Sequence, residues 1–473
     1  MIGKLAGPNA SQYAFGAFMV AVFLTGGGSR GDIQSLIILR PLAILLGAYA
    51  LWAMPPGRWK GRLFPLYITF ALLALMLLQL VPLPPSIWGM LPGRGIFIDI
   101  ADLAEIEQPW RPLTLSPSRT LNSLFSLAVP VTAIMLYLNL DETRRKSAIA
   151  IIIVLTTVSA LWAILQITGP SRGPLYLYNI TNEGAAVGLF ANRNHQSVLL
   201  AATISMLGWY ASHSAYRARF ASVKFYASIS AMLVFLPLIF ITGSRAGLVL
   251  MAPAIAMAAM LAYCGRYSKE QELQKQRPKK REWYYLPSQK IILIVCIIFV
   301  LAIVFLSIYS SRSLAFDRLF GNGEPEELRN LLLPTLIRMM NEYLSWGAGF
   351  GAFEHAYKIY EPQALLRPTY LNQAHNDWLQ FPIEGGAPAI LIGAVAVIWF
   401  VVKLGVVLTN WGRSRYTKYT ALMAAFVLVC FLAASAGDYP LRVPSLMAVF
   451  GVIACIFNDA VISIGGKRTE VAS

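Results

Sequence analysis

Charge is scarce in this 473-residue chain: 13% of the residues are Asp, Glu, Lys or Arg, whereas 57% are hydrophobic. A composition this apolar and this poor in charge excludes an ordinary soluble protein. The alternating pattern of membrane β-strands is also missing, so the apolar runs are predicted to cross a bilayer as helices of about 20 residues. The expected fold class is an all-α polytopic integral membrane protein.

Cysteine and histidine are rare as well, with four residues of each. The cysteines lie in or at the ends of apolar runs and show no CxxC spacing. They are Cys264, Cys296, Cys430 and Cys455. Neither a zinc site nor a disulfide framework is indicated, and no cofactor is predicted.

Twelve apolar runs are long enough to be transmembrane helices. Their predicted bounds are 11–27, 33–53, 64–82, 120–140, 148–168, 196–213, 225–242, 246–264, 291–309, 386–405, 419–436 and 443–463. An even number of spans puts both termini on the same side of the membrane. The chain then divides into residues 1–119 with the first three spans, a core of residues 120–463, and a tail of residues 464–473.

Basic residues cluster in the connections on the same side as the termini. The clusters are GRWKGR (57–62), TRRK (143–146), RAR (217–219), the segment 265–283 and GRSRYTK (412–418). The positive-inside rule makes that side cytoplasmic. The net charge of +16 is therefore predicted to reflect topology and contact with anionic membrane lipids, and no nucleic-acid partner is expected.

Three sizeable segments are predicted on the opposite face, at 83–119, 169–195 and 310–385. The last keeps aromatic and apolar residues, which is typical of a folded, functional loop rather than a linker. Polar residues near the outer ends of the spans are the candidate site residues, because charge close to hydrocarbon needs a partner or a wet cavity.

Two polar clusters lie where spans begin on that face. FANRNHQS (190–197) places Arg193 and Asn194 at a helix start, whose backbone N–H groups favour an anion; alternatively, the asparagines only cap the helix. ITGSRAGLVL (241–250) holds Arg245 at a tight turn with no carboxylate nearby in sequence. This setting suits bidentate contact with a diphosphate, and the alternative is an arginine that snorkels to the interface.

The long outer loop adds three arginines, Arg318, Arg329 and Arg338. Most arginines in such a loop are solvated, and one of the three is expected in a site. The segment SWGAGFGAF (345–353) follows them, and its glycines allow a backbone to approach a ligand closely. Without a preceding strand, however, GxGxG is weak evidence for a nucleotide site.

The segment AHNDWLQFPIEGG (374–386) is the strongest candidate. His375 precedes a short polar helix in which Asp377, Gln380 and Glu384 recur on one face. A neutral imidazole accepts a proton from a sugar hydroxyl, and a nearby carboxylate fixes its tautomer. The alternative is a histidine that caps the helix or lies at the interface.

The segment SAGDYPLRVP (435–444) forms the turn between the last two spans. Asp438 and Arg442 are predicted to pair with each other and to fix this turn, because they lie close together in the sequence. A functional role for the two residues is the alternative.

Taken in order, FANRNH, TGSRAGL, GAGFGAF, AHNDWLQ with EGG, and DYPLR resemble the bacterial O-antigen ligase and polymerase superfamily. The similarity covers roughly residues 120–463, and its specificity lies in the order, spacing and common membrane face of the motifs. The resemblance implies a GT-C-like glycosyltransferase architecture of about 12 transmembrane helices with a large periplasmic loop. It also implies a bacterial inner-membrane location and a reaction without metal or nucleotide.

The resemblance further implies transfer of a glycan from undecaprenyl diphosphate to an acceptor hydroxyl, on another glycan or on lipid A-core. His375 matches the family's essential histidine, and Arg245 matches an arginine that contacts the diphosphate. A further loop arginine is Arg338 or Arg329, and Arg193 is a weaker candidate for the same anion. Additional substrate contacts are predicted for Asn194, Asp377, Gln380 and Glu384.

Single displacement of a diphosphate leaving group predicts inversion at the anomeric carbon. Ligase and polymerase share these motifs, so both remain open. The alternative from another class is a transporter or flippase, which is expected to place polar groups and broken helices near mid-membrane. Here the polar residues gather at the outer ends of the spans.

Overall fold

The computed structural model describes residues 7–212, 221–276, 324–366, 370–410 and 415–466. The predicted span 291–309 lies outside the described residues, as do Arg318 and the side chain of Arg329.

Helices dominate the described residues and follow the order of the apolar runs. The first half of the chain forms α1 (Pro8–Thr25), α2 (Leu36–Trp52), α3 (Phe64–Gln79), α4 (Pro85–Trp88), α5 (Gly95–Leu103), α6 (Pro117–Ser126), α7 (Ala128–Leu138), α8 (Glu142–Thr168) and α9 (Arg193–Ser212). The second half forms α10 (Ala221–Thr242), α11 (Arg245–Gln276), α12 (Glu324–Glu342), α13 (Phe353–Tyr360), α14 (Asp377–Thr409), α15 (Arg415–Ala434) and α16 (Pro444–Gly466). Two-residue strands, β1 (Pro82–Leu83) and β2 (Arg111–Pro112), pair antiparallel.

Seven helical segments in the described part of the chain are long and apolar enough to cross a membrane. They are Pro117–Leu138, Glu142–Thr168, Val223–Thr242, Arg245–Cys264, Asp377–Thr409, Thr417–Ala434 and Pro444–Gly465. The shorter helices α2 and α3 are apolar as well. The expected helical, multi-pass membrane protein is confirmed, whereas twelve spans and a GT-C architecture remain predictions.

Helix α9 lies at the centre of the bundle. Its residues from His195 to Trp209 are buried on every side, as expected for a helix that is enclosed by other helices. It packs against α8, α10, α11 and α15. Polar groups at its first turn are therefore surrounded by protein.

Helices α9 and α11 run parallel in close contact. A Cβ atom on Gly247 would lie 1.7 Å from Ser197 Oγ, and one on Gly208 would lie 2.4 Å from Ala258 Cα. The two contacts advance in the same direction along both helices, which is why both helices start at the same end of the bundle. Glycine is required at both positions, because any side chain would push the helices apart.

Loops from distant parts of the chain meet at that end, which we call the site end. The backbone N–H of Ala191 donates to Gly27 O at 3.0 Å, and that of Ser445 donates to Gly26 O at 3.0 Å. The connections after α1, before α9 and before α16 are thereby joined. Each of these three connections adjoins a helix of the bundle, so their positions at the site end are fixed relative to one another.

The segment with β1, β2, α4 and α5 is tied to the end of α12 by Arg94, whose side chain is buried. Its guanidinium donates to Leu113 O at 2.7 Å and Gly347 O at 3.2 Å, and lies 5.5 Å from the centre of the Tyr343 ring. The sequence did not single out this arginine. Its contacts with main-chain oxygens and a ring make it part of the scaffold.

An ion network lies at the opposite end of the bundle. Asp459 of α16 accepts from Arg145 Nη1 at 2.9 Å and from the Tyr137 hydroxyl at 3.0 Å, and lies 3.4 Å from Arg62 Nε. Two arginines of the predicted cytoplasmic clusters therefore fasten α7, α8 and α16 together.

Candidate active site

The buried carboxylate of Asp438 is the centre of the polar cluster at the site end. It lies in the 435–443 turn between α15 and α16 with 2% of its side chain exposed. Its Oδ2 accepts from Asn194 Nδ2 at 2.8 Å and Asn192 Nδ2 at 3.2 Å, and its Oδ1 lies 3.3 Å from His375 Nδ1. Residues from two distant parts of the chain thus converge on the carboxylate of Asp438.

His375 has a constrained backbone and a partly accessible ring. Its φ is 50°, a left-handed conformation that few residues other than glycine adopt. The next residue, Asn376, caps α14 by accepting from Leu379 N at 3.3 Å. The imidazole is 30% exposed and packs 4.9 Å from the ring centre of Tyr439. With Nδ1–H directed to Asp438, the lone pair of Nε2 is available as a base.

A second imidazole, that of His195, flanks the same carboxylate. Its Nε2 lies 3.9 Å from Asp438 Oδ2, and its ring packs 5.2 Å from Tyr439. Burial alone raises the pKa of Asp438, but the hydrogen bond with His375 and the nearby imidazoles lower it below its ordinary value. Asp438 is therefore ionised at neutral pH.

Arg442 does not pair with Asp438. Its Nε donates to Asp377 Oδ1 at 2.6 Å and its Nη1 to Glu384 Oε2 at 2.8 Å. Glu384 is fully buried and also accepts from Gln380 Nε2 at 3.0 Å and Phe353 N at 3.4 Å. The predicted polar face of the short helix exists, and its partners are protein groups.

The ion pairs of Arg442 hold the cluster around Asp438 in place. The N–H of Asp377 donates to Ser435 O at 2.8 Å, so the start of α14 is joined to both ends of the turn that carries Asp438. Burial lowers the pKa of Arg442, but the charges of Glu384 and Asp377 raise it above its ordinary value. The guanidinium thus stays charged between its two carboxylates.

Replacing Arg442 by alanine is expected to lower the free energy of unfolding by about 3–5 kcal/mol, because a buried carboxylate at Glu384 would lose its counter-ion. Thermal unfolding of the purified protein in detergent measures this effect. The double variant Arg442→Met with Glu384→Gln should be more stable than Arg442→Ala, since the fully buried carboxylate of Glu384 is then replaced by a neutral amide. An unchanged melting temperature for Arg442→Ala would contradict the assigned ion pairs.

Arg193 and Arg245 are the first residues of α9 and α11. The backbone N–H of Arg193 donates to Asn182 Oδ1 at 3.0 Å, and the side chain of Arg245 is exposed. The close contact of Gly247 with Ser197 lies just inside both helix starts. The parallel packing therefore brings the two arginines to the same end of the bundle, where helix N-termini also favour anions.

The loop arginines are only partly described. Arg338 lies on the exposed face of α12, 5.4 Å from the ring centre of Tyr360. Within the part of the chain that the structure describes, no contact connects it with His375. The choice between Arg338 and Arg329 therefore stays a prediction.

The glycine-rich segment packs against the start of α14. Ala348 N donates to Ile383 O at 2.8 Å, and a Cβ on Gly347 would lie 2.2 Å from Glu384 O. The partner segment has its own kink at Gly386, where φ is 62°. The close backbone approach that the glycines allow is thus made to the chain itself, which fixes the helix that follows His375.

Comparison with known proteins gives one family match. Residues 229–394 match the family model described as O-antigen ligase. The matched range includes Arg245, His375 and Glu384, whereas Asp438 and Asn194 lie outside it. No curated protein matches the chain.

Proposed function

We propose, from the match of residues 229–394 to the O-antigen ligase family, that this chain transfers a glycan from a polyprenyl diphosphate to an acceptor hydroxyl. The family supports a membrane glycosyltransferase of the ligase or polymerase type. The carrier in the proposal is undecaprenyl diphosphate, and the acceptor is a glycan or lipid A-core. The proposed architecture is GT-C-like with twelve spans.

The contact between His375 Nδ1 and Asp438 Oδ1 at 3.3 Å carries the proposal. A carboxylate on one ring nitrogen orients the imidazole, selects the tautomer with a basic Nε2 and stabilises the imidazolium that forms on protonation. Because the ring is partly exposed while Asp438 is buried, the basic nitrogen is the one that an acceptor hydroxyl reaches.

The proposed reaction is a single displacement. As the acceptor oxygen forms its bond to the anomeric carbon, its proton passes to Nε2 of His375. The bond between that carbon and the diphosphate oxygen breaks, and the electron pair leaves with the lipid diphosphate. Attack from the face opposite the leaving group inverts the anomeric centre.

The leaving diphosphate needs positive charge rather than a proton donor. Arg193 and Arg245, at the starts of two parallel helices, are the proposed source, and the positive ends of the two helix dipoles favour an anion at the same place. These groups stabilise charge that grows as the bond breaks, so they act most strongly in the transition state. The proposed reaction requires no metal ion.

Four of the predicted substrate residues act through the protein groups to which they are bonded. They are Asn194, Asp377, Gln380 and Glu384. Asn194 donates to Asp438, and the other three belong to the Arg442 network. Gln380 and Glu384 are fully buried. We therefore propose that this group positions His375 and Asp438, on the periplasmic face of the bacterial inner membrane.

The purified protein in lipid nanodiscs, supplied with a polyprenyl-diphosphate-linked glycan and an acceptor, tests the proposal. We expect transfer in the presence of a chelator, with an inverted anomeric linkage in the product. A retained configuration would contradict single displacement, and absence of transfer to any tested acceptor would contradict the function. In a deletion strain, free polymer on the lipid carrier indicates a ligase, whereas single repeats on lipid A-core indicate a polymerase.

Replacing Arg245 by alanine should lower transfer by about tenfold to a hundredfold, the cost of a lost hydrogen bond to a charged group. Arg245→Lys should recover little of this loss, because an ammonium cannot reproduce the bidentate fork. Arg172→Ala is the matched control, since Arg172 is 81% exposed at the same end and pairs with Glu183. Full activity of Arg245→Lys would reduce the role of this arginine to simple charge.

A further inference from the structure

A groove of about 550 Å³ lies between α2 and α6 at the site end. Its walls are mostly apolar and come from Ile33, Leu36, Ile37, Pro41, Ile44 and Phe125. Ile37 is 77% exposed and Ile44 is 52% exposed. Because α2 is an apolar helix, the groove opens toward the region that lipid chains occupy.

One cation, Arg40, lies in the wall of this apolar groove. Its Nη2 donates to the Oδ1 of Asn122 at 2.7 Å and to the Asn122 main-chain oxygen at 3.2 Å. Its Nε is buried without a hydrogen-bond partner, and no carboxylate pairs with Arg40 in the described ranges. A cation next to hydrocarbon is costly unless an anion meets it.

Basic residues also lie beside one end of the groove. Arg30 pairs with Asp32 at 2.9 Å, while Arg119 and Lys358 share Glu354 at 3.2 Å each. Arg119 lies close enough to Asp32 to act on its charge, and Arg30 and Lys358 both contact Tyr370, so these cations lie near the Asp32 end of the groove. The surplus of positive charge favours a ligand with an anionic headgroup and an apolar chain.

The loop that closes the groove also contacts the candidate active site. Ser29 lies close to the hydroxyl of Tyr439, whose ring packs against His375. Gly31 and Asp32, a few residues further along, line the groove. One short stretch of chain therefore separates the apolar groove from the proposed base.

We propose that the groove holds the polyisoprenoid chain of the lipid-linked donor, with Arg40 at an oxygen of its phosphate. This proposal rests on the proposed function. The donor is favoured over a lipid acceptor because the donor's lipid is attached directly to the leaving diphosphate and must lie beside the reacting carbon. The lipid of an acceptor is separated from the reacting hydroxyl by its saccharide.

A photoactivatable polyprenyl diphosphate, incorporated in nanodiscs with the full chain, tests the groove. Labelled peptides identified by mass spectrometry should come from α2 and α6. Ile37→Trp fills the groove and Arg40→Ala removes the cation, and each should lower labelling by about tenfold, the effect of one charge-assisted contact or less. Ile38→Trp is the matched control, since Ile38 is 66% exposed on the same helix and does not line the groove.

The outcomes separate the groove from the function. Labelling that is lost in Ile37→Trp, retained in Ile38→Trp and retained in His375→Ala would support the groove as a donor site. Equal labelling of all variants, or displacement of the probe by phosphatidylglycerol alone, would overturn it while leaving transfer activity as a separate measurement. Labelling of the groove without glycan transfer by the wild type would sustain lipid binding and refute the proposed function.

Discussion

Replacing His375 by alanine is expected to lower glycan transfer by about a hundredfold to ten-thousandfold, the range for loss of a general base. The ring is partly exposed, and its Nδ1 is directed to a buried carboxylate. Removal of the ring therefore deletes the proton acceptor while the ion pairs of Arg442 remain. Initial rates measured in nanodiscs, at acceptor concentrations above and below KM, should show the loss mainly in kcat.

His355 provides the matched control for this experiment. It lies exposed on α13, in the same folded region, and pairs with no group of the proposed site in the described part of the chain. His355→Ala should transfer glycan at the wild-type rate. If His375→Ala were equally active while correctly inserted, the assignment of the base would be refuted.

Much of the fold is predictable from hydropathy alone. Wherever a predicted span falls in the described residues, a helix is present, because an apolar run in lipid must satisfy its backbone hydrogen bonds internally. The boundary before the tenth predicted span is also reproduced. That span was expected to start at residue 386, and the kink at Gly386 separates it from the short polar helix.

The partners within the site are not predictable in the same way. Asp438 and Arg442 are four residues apart, a spacing that pairs side chains only on a helix. Here a 3₁₀ turn, Pro440–Arg442, turns the arginine toward α14, and the carboxylate faces His375. The true partners are separated by 58 to 65 positions on the α14 side and by 244 to 246 positions for the two asparagines, so only the tertiary packing defines them.

Helix packing also brings together arginine motifs that lie far apart in the sequence. Arg193 and Arg245 belong to different loops that the alternation of spans puts on one face, and the parallel contact of α9 with α11 makes the two helix starts neighbours there. Gly247 and Gly208 make this contact possible. Close packing at Gly247 is predictable from the sequence, but the helix that packs there is not, because glycine is common in membrane helices for several reasons.

The two imidazoles beside Asp438 differ in their exposure and in their contacts. His375 is exposed enough to meet a hydroxyl, whereas His195 is 1% exposed and supports Tyr439 from the other side. Asn192 and Asn194 occupy the other oxygen of Asp438. One oxygen of the carboxylate therefore holds the asparagines, and the other faces the ring of His375.

Asp438→Asn is expected to lower transfer by about a hundredfold to ten-thousandfold, with most of the loss in kcat. The amide has nearly the same shape, but it presents an N–H₂ group either to His375 or to the two asparagine donors. In the first case the imidazole takes the tautomer with a protonated Nε2 and loses its basic lone pair. In the second, two donors face each other in a buried site, which costs stability.

The double variant distinguishes a positioning role from a general loss of structure. If Asp438 acts through His375, Asp438→Asn combined with His375→Ala should be no slower than His375→Ala alone, because residues that act as a unit are not additive. Glu183→Gln, a carboxylate-to-amide change at an exposed pair with Arg172, should leave transfer unchanged. Multiplicative losses in the double variant would show that Asp438 acts independently of the imidazole, and the proposed tautomer control would then be wrong.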